Sequence, residues 1–253
     1  MILKVEKLSK SFGGLLALDD VSFQIEAGET IGLIGPNGSG KSTVFNVITG
    51  FLKPNPGAFI EFEGENITAL PPHEICWRGL TRTFQLVKPF LHLTALQNIV
   101  VGRAYGRTPA RSIAKAEADA RAILATLGLD GKARVLARDL TVSERKRLEL
   151  GRALAAKPRL LLLDEFMAGS NPVETQTAMK LLAEIKATGI TLVVVEHIVK
   201  AVMGLSNRVI VLSVGQKIAE GSPANIAAQP QVIAAYLGSS YSSPEKSSPG
   251  FGD

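Results

Sequence analysis

The sequence predicts an α/β fold: a core with a parallel central sheet, an N-terminal antiparallel β part and an inserted, mostly helical part. Three observations predict it. The runs Thr30–Ile34, Leu160–Leu163 and Thr191–Val195 are short and almost wholly apolar, the pattern of strands buried on both faces. Helical sequence, Ser42–Gly50 and Glu174–Ala187, alternates with these strands, as a parallel sheet requires. Between residues 87 and 155 the character changes to alanine-rich helical sequence with glycine stops and no convincing buried strand. The expected organisation is a discontinuous core, residues 1–86 and 156–237, with a helical insertion at 87–155. Residues 238–253, rich in serine, proline and glycine, are expected to be a disordered tail.

Taken in order, Ile2–Val5 and Val21–Ile25 alternate as half-buried strands do, with Phe12-Gly-Gly14 in the loop between them. Thr30–Ile34 is the central strand, and Ser42–Gly50 is a helix closed by glycine. Phe59–Glu63, broken by Gly64-Glu65, reads as half of an antiparallel hairpin. Leu70-Pro-Pro-His73 is a loop leading into a short helix around Glu74–Gly79. Ser112–Leu127 is helical, with stops at Gly128 and Gly131. Arg159–Asp164 and Ile190–Glu196 are strands, Val209–Val214 and Gly215–Ala219 a hairpin-like pair, and Ala224–Tyr236 offers two short helices. There is no internal repeat.

Composition narrows the function classes. The chain of 253 residues is 46% hydrophobic and 20% charged, ordinary for a globular protein. A single cysteine, Cys76, excludes an internal disulfide and suits a reducing compartment, where it reads as a small buried apolar residue. The opening Met1-Ile-Leu-Lys-Val-Glu-Lys7 turns polar too soon for a secretory signal, and no apolar run nears the roughly 18 residues of a membrane span. A cytoplasmic location is expected, with any membrane role exercised through a partner. The net charge of +5 is spread along the chain, apart from Arg145-Lys-Arg147, which reads as a solvated helix face. No nucleic-acid partner is expected.

The stretch that organises the chain is Gly35-Pro36-Asn37-Gly38-Ser39-Gly40-Lys41-Ser42-Thr43, which fits G-x-x-x-x-G-K-[ST] between a strand and a helix. Its backbone N–H groups form an anion nest, and the following helix N-terminus adds its dipole. Lys41 supplies a point charge for β- and γ-phosphates, and Ser42 a hydroxyl for Mg²⁺. Further on, Leu160–Leu163 ends in Asp164-Glu165, so a buried strand delivers two carboxylates to the edge of the sheet where ligands bind. Asp164 is expected to hold Mg²⁺ through its water shell and Glu165 to polarise an attacking water.

The order of nucleotide turn, Gln85, basic helix, Asp164-Glu165 and His197 resembles the ATPase subunit of ABC transporters over nearly the whole chain except the tail. The resemblance implies a P-loop ATPase binding ATP and Mg²⁺. It makes Phe12 the ring that stacks on adenine, although the residue alone reads equally as a strand-edge core phenylalanine. It makes Gln85 the glutamine that touches Mg²⁺ and the attacking water, and His197 the contact to the γ-phosphate. The signature segment departs from the family's Leu-Ser-Gly-Gly-Gln-like run. Here it is Leu140-Thr-Val-Ser-Glu144, in which Thr141 keeps a hydroxyl while Val142 and Ser143 replace glycines. In the family this segment, here with Thr141 and Ser143, contacts ATP bound to the other subunit. Thr141-x-x-Glu144 is also a capping box for a helix running to about Leu154, and Glu144 would repel phosphate if it faced the nucleotide. Phe166 replaces the usual proline, and Asn171 stands where many members carry aspartate.

Leu70–His73, Arg78–Gln85, Leu93–Asn98, Asn171–Glu174 and Ala235–Gly238 are similar to ATPases of importers for branched-chain amino acids. Related systems take up urea, amides or hydrophobic carboxylates. The resemblance implies a head-to-tail pair, this chain with itself or a close paralogue, bound to integral-membrane permeases on the inner face of the membrane and served indirectly by a solute-binding protein. The segment Leu86–Asn98 would present a groove to a short permease helix, although its apolar residues Leu86, Val87, Phe90, Leu91 and Leu93 read equally as core of the helical part. The competing readings are the ATPase of lipopolysaccharide extraction, a DNA-repair or chromosome-organising ATPase, and a nucleotide-binding regulator with little hydrolysis.

Overall fold

The computed structural model describes residues 1–237, so the expected tail, 238–253, lies outside the described residues. The strands are β1 (Leu3–Phe12), β2 (Leu15–Ile25), β3 (Thr30–Ile34), β4 (Phe59–Phe62), β5 (Glu65–Asn66), β6 (Leu80–Arg82), β7 (Leu160–Asp164), β8 (Thr191–Val195), β9 (Arg208–Ser213) and β10 (Gln216–Gly221). They form two sheets. One is antiparallel, in the order β2-β1-β4-β5; the other has the order β10-β9-β3-β8-β7-β6 and is parallel except for the hairpin strand β10. The helices are α1 (Lys41–Ile48), α2 (Pro72–Arg78), α3 (Ala95–Tyr105), α4 (Ile113–Thr126), α5 (Val142–Ala155), α6 (Pro172–Ala187), α7 (Val199–Leu205), α8 (Pro223–Ala227) and α9 (Pro230–Leu237).

Every residue of β3, β7 and β8 is buried, which is why these strands read as unbroken apolar runs. The side-chain period of two divides them between cores. Leu160 and Leu162 face the antiparallel sheet and α1, in a cluster with Leu3, Ile25, Ile31 and Phe45. Leu161 and Leu163 face the other way, with Leu148 and Leu150 of α5, Leu182 of α6, and Ile99 and Leu124 of α3 and α4. The helices of residues 87–155 are therefore packed on the same apolar layer as one face of the central sheet.

Several elements depart from the expected boundaries. Phe12 is the last residue of β1, paired with Leu15, rather than part of a loop. Irregular register between Val5 and Ser11, with Lys7 and Asp20 in left-handed backbone, interrupts the alternation and hides the strand's second half. The edge strand β6 and helix α7 were not expected. The first is three residues long and carries Thr81 and Arg82, too little for a period to show. Helix α2 starts at Pro72, which suits the first helical position because it has no N–H to leave unpaired. Helix α6 likewise starts at Pro172, under an Asn171 cap whose Oδ1 accepts from the amides of Val173 (3.0 Å) and Glu174 (2.9 Å). Asparagine thus serves in place of aspartate as a helix cap. Cys76 is half-buried with a free thiol, pushed up in pKa by burial.

The two-sided packing of β7 has a measurable consequence. Leu162→Ala and Leu163→Ala, which empty opposite cores, are each expected to lower the unfolding free energy by about 2–5 kcal/mol, measured as a loss of denaturation midpoint at unchanged slope. A cost confined to one of the two would contradict the two-core arrangement.

Candidate nucleotide-binding and hydrolysis site

Strand β3 delivers the chain at Ile34 into the turn Gly35–Gly40. Two of its glycines are required. At Gly35 (φ +154°) a Cβ would lie 2.1 Å from the Leu212 carbonyl oxygen; at Gly40 (φ +103°) it would meet Leu18 and the Ala17 carbonyl at 2.6 and 2.9 Å. Pro36 is half-buried, Asn37 and Gly38 are exposed, and Ser39 is buried, its amide donating to the Pro36 carbonyl at 3.2 Å. Gly40 caps α1 without any side-chain hydrogen bond, and no acid stands in the first turn, so the helix presents its free amides and positive end at the turn. Lys41 Nζ folds over the loop and donates to the carbonyls of Gly35 and Pro36, both at 2.8 Å. Burial lowers its pKa, opposed by the charges of Glu165 and Asp164. Ser42 is exposed and Thr43 half-buried.

The acids stand at the end of β7. Asp164 is 4% exposed, and its Oδ2 accepts from Arg82 Nη2 at 2.8 Å. Burial pushes its carboxyl up in pKa, while the Arg82 guanidinium pulls it down. Arg82 also donates to Asn46 Oδ1 at 2.6 Å and lies over the Phe84 ring at 4.7 Å. Glu165 follows in left-handed backbone (φ +51°), its amide donating to the Val195 carbonyl at 2.8 Å. This sharp exit turns the carboxylate off the strand. One of its oxygens accepts from Gln85 Nε2 and the other meets His197 Nε2, each at 2.7 Å. Three residues far apart in the chain therefore converge on one group, with His197 48% exposed and open to a ligand.

Ser42, Gln85 and Asp164 line a single cavity of about 810 Å³. Asp164 Oδ1 is buried without a hydrogen-bond partner among the described residues, an acceptor left over for something else. No group of three or more histidine, cysteine, aspartate or glutamate side chains with metal-ligand geometry occurs among the described residues. A hydroxyl, an amide oxygen and one carboxylate suit a small hard cation that keeps most of its waters, not an all-protein cage.

Other expected residues stand elsewhere. Phe12 is 45% exposed at the β1 turn, with Lys10 Nζ 5.3 Å from its ring centroid. Thr141 caps α5 in the full box, its Oγ1 accepting from the Glu144 amide (3.2 Å) and its own amide donating to Glu144 Oε2 (2.8 Å). Glu144 is thus drawn back onto the helix end and toward Lys132, which lies 3.5 Å away. Ser143 borders a separate hollow with Lys146, Phe166 and Ser170, so neither Thr141 nor Ser143 joins the cavity that holds Ser42. Phe166 is buried in the second core. Three participants were not foreseen: Arg82, although it lies inside the quoted Thr81–Gln85; Glu149, on the basic helix; and Glu196, beside His197. Glu196 Oε1 accepts from the Met167 amide at 2.5 Å, and burial pushes its carboxyl up to about 7.

Phosphate-cradling turn, strand-end acids and two sheets together define a nucleotide-binding ATPase cassette. The chain matches the ABC transporter family over residues 18–168 and the branched-chain amino acid ATP-binding cassette transporter family over residues 216–242. It is 39% identical over 250 residues to the high-affinity branched-chain amino acid transport ATP-binding protein BraF of Pseudomonas aeruginosa, covering 94% of this chain and 98% of that protein. To LivG of Escherichia coli, of the same description, it is 38% identical over 94% of this chain and 98% of the relative. Among solved structures, a nucleotide-free ATP-binding cassette from an ABC transporter superposes with a TM-score of 0.83 at 35% identity, covering 94% and 99% of the two chains. A dimeric bacterial ABC transporter cassette gives 0.80 at 26% identity, over 88% and 99%. The chain belongs to the ABC transporter ATP-binding family. The resemblance read from the motifs, the α/β class and the assignment as a transporter ATPase are borne out.

The raised pKa of Glu196 fixes a sign. The folded state holds its proton above the ordinary glutamate value of about 4.5, so stabilisation from this group is full below about 4.5 and lost as pH rises through about 7. Glu196→Gln is expected to flatten the fall in melting temperature between pH 5 and pH 8. An unchanged pH profile would remove Glu196 as its source.

Proposed function

We propose that this chain is the ATP-hydrolysing subunit that energises an ABC importer of branched-chain amino acids or related hydrophobic amino acids and carboxylates. The observation that carries the hydrolytic part is Glu165 held between Gln85 and His197. The turn Gly35–Thr43 cradles the β- and γ-phosphates with backbone amides, and Lys41 exchanges the Gly35 and Pro36 carbonyls for phosphate oxygens. Phe12 offers an exposed ring face to adenine. Ser42, Gln85 and Asp164 are the residues that would hold Mg²⁺, Asp164 through its free Oδ1. Bound there, Mg²⁺ would neutralise charge on the β- and γ-phosphoryl oxygens.

Glu165 accepts a hydrogen bond from the attacking water and polarises it, and Gln85 and His197 orient that water in line with the γ-phosphorus. Thr141 and Ser143 stand apart from this cavity, which suits their offering the N-terminus of α5 to ATP on a second cassette. The pair is this chain with itself or a close paralogue. No helix among the described residues is long and apolar enough to cross a membrane. Attachment to the inner face of the membrane then runs through permease subunits, with a solute-binding protein acting on those permeases and nucleic acid playing no part. The solute class rests on the names of the relatives and the match at residues 216–242.

Glu165→Gln tests the chemistry. It is expected to retain ATP binding, accumulate a dimer on size exclusion with Mg-ATP, and lose at least about 100-fold in phosphate release. Turnover close to the unmodified chain would remove Glu165 as the base. Uptake of labelled leucine by vesicles carrying the whole transporter tests the solute class, and ATPase stimulation by urea or an amide instead would overturn it.

A further inference from the structure

We infer that Glu149 is a positioning residue for Gln85: it fastens the segment Phe84–Lys88 to α5, so that displacement of that helix is passed to the glutamine. The inference rests on the role given above to Gln85. Glu149 is 5% exposed in the second half of α5. Its Oε1 accepts from the Phe84 amide at 2.6 Å and its Oε2 from the Lys88 amide at 3.1 Å, so one carboxylate brackets Gln85 on both sides. One turn on, Arg152 Nη1 donates to the Lys88 carbonyl at 3.0 Å, and its guanidinium lies 4.6 Å from the Phe90 ring centroid. Residues three apart share a helix face, so both side chains grip the same stretch.

Nothing regular holds that stretch otherwise. It forms neither helix nor strand, and Gln85 and Leu86 are exposed to the cavity. A buried carboxylate is costly unless its oxygens accept strong hydrogen bonds. Tethering a single amide would need only a neutral side chain. A carboxylate carries two acceptor oxygens and no donor, and Glu149 uses one oxygen for each amide. The same helix reaches the other side of the site, where Lys146 Nζ donates to the Ala168 carbonyl just beyond Glu165. Helix α5 opens at Thr141, about 12 Å along the axis from Glu149. A shift at the Thr141 end therefore reaches the Gln85 segment through a rigid rod and two hydrogen bonds.

The test combines amide hydrogen exchange with a mutant cycle on the full chain. In Glu149→Ala, exchange at Phe84 and Lys88 is expected to quicken at least about tenfold. Turnover is expected to fall about tenfold with ATP affinity within about twofold, the pattern of a lost transition-state contact. In a Gln85→Ala background, Glu149→Ala is expected to add less than about twofold, because the residues act as one unit. Glu149→Gln keeps the volume and one acceptor, and should loosen one of the two amides; it serves where the alanine variant does not fold. Unchanged exchange at both amides overturns the clamp. Fully multiplicative losses in the cycle overturn the positioning role while leaving Gln85 catalytic. Full turnover in Gln85→Ala alone overturns the role of Gln85 itself, and with it any positioning by Glu149.

Discussion

Three parallel strands in fixed register, β6, β7 and β8, decide where the polar groups of the hydrolytic site stand. Arg82 pairs with Leu162, and Asp164 with Val195, so all three chains leave the sheet at one edge within a residue or two of each other. Thr83 to Gln85, Asp164-Glu165 and Glu196-His197 emerge there together. A one-residue slip in any pair would turn the apolar side chains of β7 to the wrong core and carry Glu165 away from Gln85 and His197. The apolar packing on both faces of the sheet is therefore what protects the geometry of a polar site that makes few contacts of its own.

At that edge each charged group already has a polar partner. Lys41 rests on two carbonyls of its own loop, and Arg82 lies against Asp164 in a buried pair surrounded by aromatic rings. Glu165 is satisfied by a neutral amide and an imidazole. In the proposed function the bonds of Lys41 and Glu165 are the ones exchanged for bonds to phosphate and water, with partners already oriented, while the buried Arg82–Asp164 pair stays in place. Helix α5 adds a mechanical link, with Thr141 at its start, Glu149 and Arg152 on the Gln85 segment, and Lys146 on the chain beyond Glu165.

Much of this was legible in the sequence. The turn Gly35–Thr43 and the run Leu160–Glu165 carry their chemistry in contiguous residues, so pattern alone locates them. Gln85 and His197 became readable only through the family order, because a single glutamine or histidine has no local signature. What stayed hidden depends on long-range packing. Strand β6 is too short to show a period, and the second half of β1 is masked by irregular register. Glu149 reads as one more charge on a basic helix until the fold buries it. The capping box of Thr141 and Glu144, by contrast, is a local contact that the spacing of the two residues already indicates.

Strand register brings Gln85 and His197 to Glu165, where we propose that they orient the attacking water. The most direct measurement is the single-turnover rate of ATP hydrolysis in His197→Ala at saturating Mg-ATP, with affinity measured separately. That rate is expected to fall about 100-fold or more with ATP affinity largely retained. An unchanged single-turnover rate, or a loss appearing only in affinity, would contradict it.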